Sequence, residues 1–169
     1  KEVLQGLNLN LTPGIYVLVG TNGAGKSTLM QILAGLISKN DGEILLNGKI
    51  VNPYDSEFNK MIGYLPQETP IYKNFTANKF LLYLATIKGV EKNKRIEKVN
   101  QALKMVNLAD KSHTKLKDLS GGMKRRIGIA QLLLDDPSFI IVDEPTVGLD
   151  PKERMRFYNI LSTISKEKI

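Results

Sequence analysis

A glycine-rich segment between an apolar run and a stretch with helical spacing constrains this chain more than any other feature. Residues 20–28 fit the pattern G-x-x-x-x-G-K-[ST], in which glycines let the backbone approach a phosphate and N–H groups at a helix N-terminus point at it. The apolar run at residues 15–19 predicts a buried strand before the loop, and residues 29–37 predict a helix after it. The predicted phosphate-binding residues are Gly20, Thr21, Asn22, Gly23, Ala24, Gly25, Lys26, Ser27 and Thr28.

Two side chains of this loop predict its chemistry. Lys26 is expected to reach the β- and γ-phosphates of a nucleotide, and the Ser27 hydroxyl to bind a magnesium ion. One alternative is a glycine-rich turn that precedes a helix by chance. A second is a dinucleotide-binding G-x-G-x-x-G loop, which fits less well because Thr28 stands where the third glycine belongs.

Composition narrows the classes of protein further. The 169 residues suffice for one domain with a hydrophobic core, and the absence of cysteine excludes disulfides and thiolate metal sites. No stretch approaches the ~18 consecutive apolar residues of a membrane-spanning helix. The net charge of +7 is concentrated between residues 88 and 126, where twelve Lys and Arg residues face four acidic ones. Such a segment can bind nucleic acid, anionic lipid or an acidic protein surface, although a solvated helical face is the simpler interpretation.

The order of predicted elements indicates an α/β fold. Strands are predicted at residues 3–11, 15–19, 43–46, 61–65 and 139–142, with a hairpin turn at Asn47-Gly48. Helical spacing runs from residue 76 to about residue 106, interrupted at Gly89, and begins again at Ser120. The last helix is expected to start with Asp150 as its cap, Pro151 in its first turn and Glu153 completing a capping box.

This order predicts one domain over residues 1–169, with a P-loop NTPase core, a parallel sheet and an antiparallel β part near the N-terminus. The core comprises residues 1–68 and 137–169, and an inserted α-helical lobe spans residues 69–136 approximately.

Two adjacent carboxylates follow the apolar strand at residues 139–142. In parallel α/β sheets, ligands collect at the C-terminal edge of the strands, so Asp143 is expected to hold the magnesium shell. Glu144 lies just beyond the strand, where it can polarise a water molecule that attacks the γ-phosphate. A strand that simply ends in two acidic residues is the alternative, and the nearby phosphate loop weighs against it.

A second candidate anion site begins the helix after residue 119. Ser120 is a good N-cap, and Gly121 and Gly122 leave the helix N-terminus open to an anion. The alternative is an ordinary N-cap with a flexible hinge. Two phosphate-binding helix ends on one chain suggest that two chains enclose each nucleotide between them.

Taken together, these segments resemble the nucleotide-binding subunits of ATP-binding cassette (ABC) transporters. Residues 20–28 resemble Walker A, residues 139–144 Walker B and residues 119–123 the family signature. Gln67 resembles the family's glutamine loop, and residues 148–150 the loop after Walker B. The order and spacing agree over about 150 residues.

The resemblance implies ATP and Mg²⁺ as cofactors and ATP hydrolysis as the activity. It implies that Gln67 senses the γ-phosphate and contributes to the metal site, and that Ser120 and Gly122 contact the nucleotide of the opposite protomer. The implied partners are a membrane-spanning permease subunit and a second nucleotide-binding subunit in a head-to-tail dimer, with no nucleic acid. The implied location is the cytoplasmic face of a membrane. Residues 123–126 and 146–150 are similar to drug- and antibiotic-resistance exporters.

Three departures from the family pattern shape the expectations. Met123 replaces the usual glutamine, the family's switch histidine is absent, and His113 lies at the wrong place to serve as one. The aromatic residue that stacks on adenine in the family would lie at or before the start of the chain. We therefore expect that the chain is truncated at both ends and that, as given, it binds ATP feebly and hydrolyses it poorly.

Two other classes of protein compete with a transporter subunit. One is a soluble cassette ATPase that acts on ribosomes or DNA, which the basic segment favours. Against it, Val147-Gly148 follows the Glu-Pro-Thr sequence where ribosome-acting relatives usually have Asn-His, and the chain has no long coiled coil. The other is a non-hydrolysing regulatory cassette, which the presence of Lys26, Asp143 and Glu144 disfavours.

Overall fold

The computed structural model describes residues 3–67 and 72–164, and this part of the chain forms six α-helices and four short strands. The strands are β1 (Leu45–Leu46), β2 (Lys49–Ile50), β3 (Ile62–Leu65) and β4 (Phe139–Val142). The helices are α1 (Lys26–Leu33), α2 (Ser56–Lys60), α3 (Ala77–Ile87), α4 (Arg95–Met105), α5 (Gly121–Leu132) and α6 (Pro151–Ile164). Two 3₁₀ turns, Ala109–Lys111 and Leu116–Asp118, lie between α4 and α5.

A parallel pair of strands lies at the centre of the α/β part. β3 pairs with β4 in register from Ile62 opposite Phe139 to Leu65 opposite Val142. Both strands therefore end at the same edge, and the backbone N–H of Asp143 donates to the carbonyl of Leu65 at 2.9 Å. The strands predicted at residues 61–65 and 139–142 are confirmed, as is the predicted parallel pairing.

Local signals also account for the hairpin and for the starts of two helices. β1 and β2 pair antiparallel around a turn at Asn47-Gly48, as the dipeptide predicts. Thr76 begins α3 and Ser120 begins α5, each accepting a hydrogen bond from a backbone N–H three residues on, at 3.2 Å. Because a capping oxygen satisfies an N–H that has no partner inside the helix, these boundaries follow from the sequence.

The hydrophobic core joins the helical lobe to the strands. Leu65 of β3 and Phe157 of α6 are fully buried in the same cluster as Phe80 of α3, Leu103 of α4 and Ile129 of α5. Side chains in one continuous core support one another, so the α/β part and the helices pack as one unit in the described part of the chain. None of its helices is long and apolar enough to cross a bilayer.

Two predicted strands near the N-terminus are wrong. Residues 3–24 contain no strand, and the apolar side chains at residues 15–19 are exposed, with Val17 at 78% and Val19 at 89%. A strand needs a neighbour to pair its backbone groups, and within the described residues the pairings are β1 with β2 and β3 with β4. The apolar pattern identified a segment suited to a sheet, but it does not predict whether a neighbouring strand is available for pairing.

Helix α1 also differs from its predicted bounds of 29–37. It begins three residues earlier, at Lys26, directly behind the glycine-rich loop, and it ends at Leu33. Gly35 then approaches the carbonyl oxygen of Pro53 so closely that a Cβ there would lie 2.2 Å from it. The predicted start of the helical lobe at Thr69, and the end of the core segment beyond residue 164, lie outside the described residues.

Candidate functional site

The phosphate loop has the geometry of an anion-binding site. Gly25, with φ of 90°, is the N-cap of α1 and is buried, while α1 carries no acidic residue in its first turn. A left-handed residue at this position favours glycine, and the first N–H groups of the helix have no partners within it. The ammonium of Lys26 donates to the carbonyls of Gly20 and Thr21, both at 2.9 Å. Lys26 thus lies folded over the loop where its charge can meet an anion.

The loop meets the carboxylate-bearing strand through one long-range contact. Ser27 Oγ donates to Oδ1 of Asp143 at 3.2 Å, although the two residues are 116 positions apart in the sequence. Asp143 is 6% exposed, at the end of β4. The structure therefore brings together the two residues predicted to share a magnesium ion.

Tyr64 of β3 lies within the electrostatic influence of Asp143, and sequence reasoning missed it. Burial raises the pKa of the Tyr64 phenol above its ordinary value of 10.0, and the negative charge of Asp143 raises it further. A hydrogen bond with Gln31 of α1 works in the opposite direction. Tyr64 thus links α1 and the carboxylate region as a neutral phenol at physiological pH.

Glu144 leaves the strand in a strained backbone conformation. Its φ is 43°, in the left-handed region that residues other than glycine rarely adopt, and its side chain is exposed. Strain of this kind collects at functional sites, where surrounding contacts fix it. The residue predicted to orient water therefore follows Asp143 at the same edge of the strands, with its side chain exposed.

The two loops at this edge meet at Arg125 of α5. Its guanidinium donates to the carbonyl of Glu144 at 3.0 Å and also to the carbonyl of Gln67. Gln67 is exposed and enters the site through this backbone contact. Sequence reasoning attached no role to Arg125, and the only signal for it was a basic residue one turn behind the signature glycines.

The signature segment lies at the N-terminal end of the same helix, about one turn before Arg125. The Ser120 side chain accepts a hydrogen bond from the N–H of Met123 at 3.2 Å, and Gly121 faces open space. Gly122 packs against Glu153 of α6. The N-terminus of α5 is thus formed and exposed, as an anion site requires.

Other predicted residues lie apart from these contacts. Among residues 3–67 and 72–164, no hydrogen bond joins the phosphate loop to Ser120, Gly121 or Gly122. Met123 packs against the hydrophobic core, so the departure from the family's glutamine serves packing. His113 is exposed in a turn, as a loop histidine should be.

The donor set fits a small hard cation beside a phosphate. The Ser27 hydroxyl and the Asp143 carboxylate are oxygen ligands, which magnesium prefers, and Lys26 supplies positive charge at the loop. Beyond this pair, the described residues contain no group of three or more His, Cys, Asp or Glu side chains suited to a metal. A magnesium ion here would therefore complete its coordination with water and phosphate oxygens.

Comparison with known proteins agrees with this geometry. A sequence model of the ABC transporter family matches residues 4–147. The chain is 42% identical over 149 residues to the uncharacterised ABC transporter ATP-binding protein YxlF of Bacillus subtilis, covering 88% of this chain and 49% of YxlF. It is 34% identical over 167 residues to the linearmycin resistance ATP-binding protein LnrL of the same organism, covering 98% of this chain and 53% of LnrL.

A solved structure has the same fold. CbiO1 of Clostridium perfringens, described as part of the ABC transporter complex cbiONQ, superposes with a TM-score of 0.78 at 28% identity, covering 88% of this chain and 61% of CbiO1. The chain spans about half the length of the two curated relatives.

Proposed function

The chain belongs to the ABC transporter family, and from that premise we propose that it binds and hydrolyses ATP to drive transport of a substrate across a membrane. In this proposal it forms part of the nucleotide-binding subunit of an exporter. The similarity to LnrL, whose name refers to linearmycin resistance, supports the exporter type.

One observation carries the proposal. The hydrogen bond between Ser27 and Asp143 joins the phosphate loop to the end of β4, so that a hydroxyl meets a buried carboxylate, while the ammonium of Lys26 lies on the carbonyls of the same loop. A glycine-rich turn that arose by chance would have no reason to meet a buried carboxylate 116 residues away. A nucleoside triphosphate with its metal requires these groups close together.

Each site residue then has a role in the proposed reaction. Lys26 and the N–H groups at the start of α1 bind the β- and γ-phosphates. Ser27 and Asp143 would hold magnesium, with Gln67 contributing from its loop, and the bound ion would supply positive charge that neutralises the phosphates. Glu144 orients a water molecule toward the γ-phosphate and takes its proton.

The remaining nucleotide contacts come from a second protomer. Because Ser120 and Gly122 begin an exposed helix N-terminus on the same chain, a head-to-tail dimer would bring that end to the partner's phosphate loop. A membrane-spanning permease subunit and a location at the cytoplasmic face of the membrane complete the proposal. CbiO1, a solved relative, is described as part of an ABC transporter complex, which supports this proposal.

The experiment that tests this function measures magnesium-dependent ATP binding by isothermal calorimetry. We expect wild type to bind MgATP and Lys26→Ala to lose at least tenfold in affinity, because the phosphate charge is then unmatched in the loop. Lys39→Ala is the matched control, since Lys39 is an exposed lysine that donates to the carbonyl of Gly42 in another loop. Equal affinity in wild type and Lys26→Ala would refute the assignment of the loop.

A further inference from the structure

The half-buried side chain of Arg125 makes an unusually large number of hydrogen bonds. Its three guanidinium nitrogens donate five hydrogen bonds, and every acceptor is a backbone carbonyl oxygen in one of two loops. The acceptors are Pro66 at 3.0 Å, Gln67, Asp143 at 3.1 Å, Glu144 at 3.0 Å and Pro145 at 3.0 Å.

The two loops are the ones that follow β3 and β4. Pro66 and Gln67 come after β3, and the other three acceptors come after β4. Since the strands are parallel, both sets of carbonyls emerge at the same edge, and one planar guanidinium can reach all of them. Arg125 therefore fixes the spacing between the glutamine loop and the carboxylate loop.

The same contacts enclose the strained residue of the site. Nη2 bonds to the carbonyl of Glu144 and to that of Asp143 before it, while Nε bonds to the carbonyl of Pro145 after it. Glu144 has a φ of 43°. A backbone held out of its preferred region needs contacts on both sides of it, and Arg125 provides them.

We propose that Arg125 is a positioning residue that holds Glu144 and the backbone of Gln67 in their catalytic arrangement and links both to the signature end of α5. The proposal rests on the ATPase function proposed above and adds to it a residue that touches neither nucleotide nor metal. Movement of α5 would reach Glu144 through the guanidinium, because Ser120 and Arg125 lie on the same helix within two turns.

The surroundings of the guanidinium favour this role over simple surface packing. Burial lowers the pKa of Arg125 below its ordinary value, and the nearby negative charge of Asp143 offsets only part of this shift. A charged group that is partly removed from water loses hydration free energy, and hydrogen bonds to the protein must offset that loss. Its neighbour Lys124 makes one long contact, at 3.4 Å, with the carbonyl of Lys117.

Lysine cannot replace arginine in this position. An ammonium offers three donors around one point, whereas a guanidinium presents five N–H donors in a planar fork. Arg125→Lys should therefore keep the charge and much of the packing but lose most of the carbonyl contacts. This makes it a second variant, useful if Arg125→Ala fails to fold.

The experiment compares Arg125→Lys, Arg125→Ala and wild type in the full-length natural protein, measuring kcat, KM for ATP and the thermal midpoint. A displacement of about 1 Å in a catalytic group costs on the order of 100-fold in rate, so we expect kcat to fall by that factor while KM changes less than threefold. Arg154→Ala is the matched control, since Arg154 is exposed and its side chain makes no hydrogen bond or ion pair within the described residues, and it should keep wild-type kcat.

Chemical rescue separates positioning from stability. Adding guanidinium at millimolar concentration should restore part of the kcat of Arg125→Ala, whereas the same concentration of sodium chloride should not. Unchanged kcat in both variants would overturn the inference, as would a fall in kcat that guanidinium does not relieve and that matches the loss of folded protein. If wild type itself neither binds nor hydrolyses MgATP, the proposed function fails instead. Lys26→Ala, measured in parallel, identifies that case, because its MgATP binding and turnover would then equal those of wild type.

Discussion

The carboxylate of Glu153 on α6 lies against Gly122 at the signature end of α5, 2.7 Å from where a Cβ on Gly122 would be. Glu153 is a charged side chain only 16% exposed, and its other oxygen accepts from Arg156 at 2.5 Å. Its Oε2 lies 3.4 Å from Nε of the buried Arg126, yet neither atom makes a hydrogen bond. The charges are thus paired by proximity, and Gly122 leaves the room for them.

This contact predicts that Gly122→Ala is destabilising. Displacing a well-packed side chain costs about 1–3 kcal/mol, because the Glu153 carboxylate would have to leave Arg126. Gly121→Ala is the control for helix propensity, since a Cβ there meets no atom within 4 Å. Urea unfolding should show Gly122→Ala to be less stable than Gly121→Ala by that amount.

A double variant tests the cause. In a Glu153→Ala background the carboxylate is gone, so adding Gly122→Ala should cost little, and the two substitutions should be strongly non-additive. Equal costs of Gly122→Ala in both backgrounds would mean that Glu153 is not the obstacle.

Tyr64 should make stability depend on alkaline pH. Its raised pKa means that the folded protein keeps the phenol neutral at a pH where the unfolded chain ionises it. This contribution to stability is fully present below pH 10.0, the ordinary value, and is lost as pH rises through the higher folded pKa. The unfolding free energy of wild type minus that of Tyr64→Phe should therefore be constant below that value and decrease above it.

The measurement is denaturant unfolding of both proteins in parallel from about pH 8 upward, comparing differences so that other groups cancel. A difference that stays constant through alkaline pH would show that Tyr64 has the same affinity for its proton in both states.

Local signals explain the part of the fold that the sequence predicted. Caps at Thr76 and Ser120, the Asn47-Gly48 turn and the apolar strands at residues 61–65 and 139–142 are determined by neighbours within a few positions. The Asp150 side chain accepts from the N–H of Glu153 at 2.8 Å, as predicted for the start of α6. The predicted reciprocal bond, from the N–H of Asp150 to the Glu153 side chain, is wrong. The Glu153 carboxylate lies beside Arg126 and Arg156 instead.

In the site too, local motifs identified some residues, whereas residues whose contacts are distant in the sequence were missed. Motif spacing identified Lys26, Ser27 and Asp143, and the structure brings the last two within hydrogen-bonding distance. Arg125 escaped notice because its partners are 18 to 59 positions away and are backbone carbonyls, which carry no sequence signature. Tyr64 escaped for a similar reason, since its environment depends on how α1 packs beside β3.

The basic segment between residues 88 and 126 is predicted not to bind nucleic acid tightly. Part of its charge is already paired within the chain: Lys88 with Asp135 at 2.7 Å, and Lys94 with Glu91 at 2.9 Å. It contains no Phe, Tyr or Trp on which a base could stack. Fluorescence anisotropy with labelled DNA and RNA should give affinities no tighter than the generic ~10⁻⁴–10⁻⁶ M range at physiological salt.

A tighter, steeply salt-dependent affinity would favour the alternative class of ribosome- or DNA-acting cassettes. A charge-reversed variant of Lys92 and Lys98, which form no ion pair in the described part of the chain, serves as the control for residual electrostatic binding.

The exposed apolar run at residues 15–19 predicts self-association of the 169-residue chain. Val17 and Val19 are 78% and 89% exposed, and an apolar segment of this kind without a paired neighbour can recruit a strand from another copy. Burying a valine is worth about 1.5 kcal/mol or more, which is roughly tenfold in an association constant. Val19→Lys should therefore weaken self-association by at least that factor, measured by sedimentation velocity over a range of concentrations. The matched control is Ile96→Lys, which places the same charge at an exposed apolar position, 65% accessible, on helix α4. If both variants associate as wild type does, or if the helix variant has the larger effect, the run is not the contact surface.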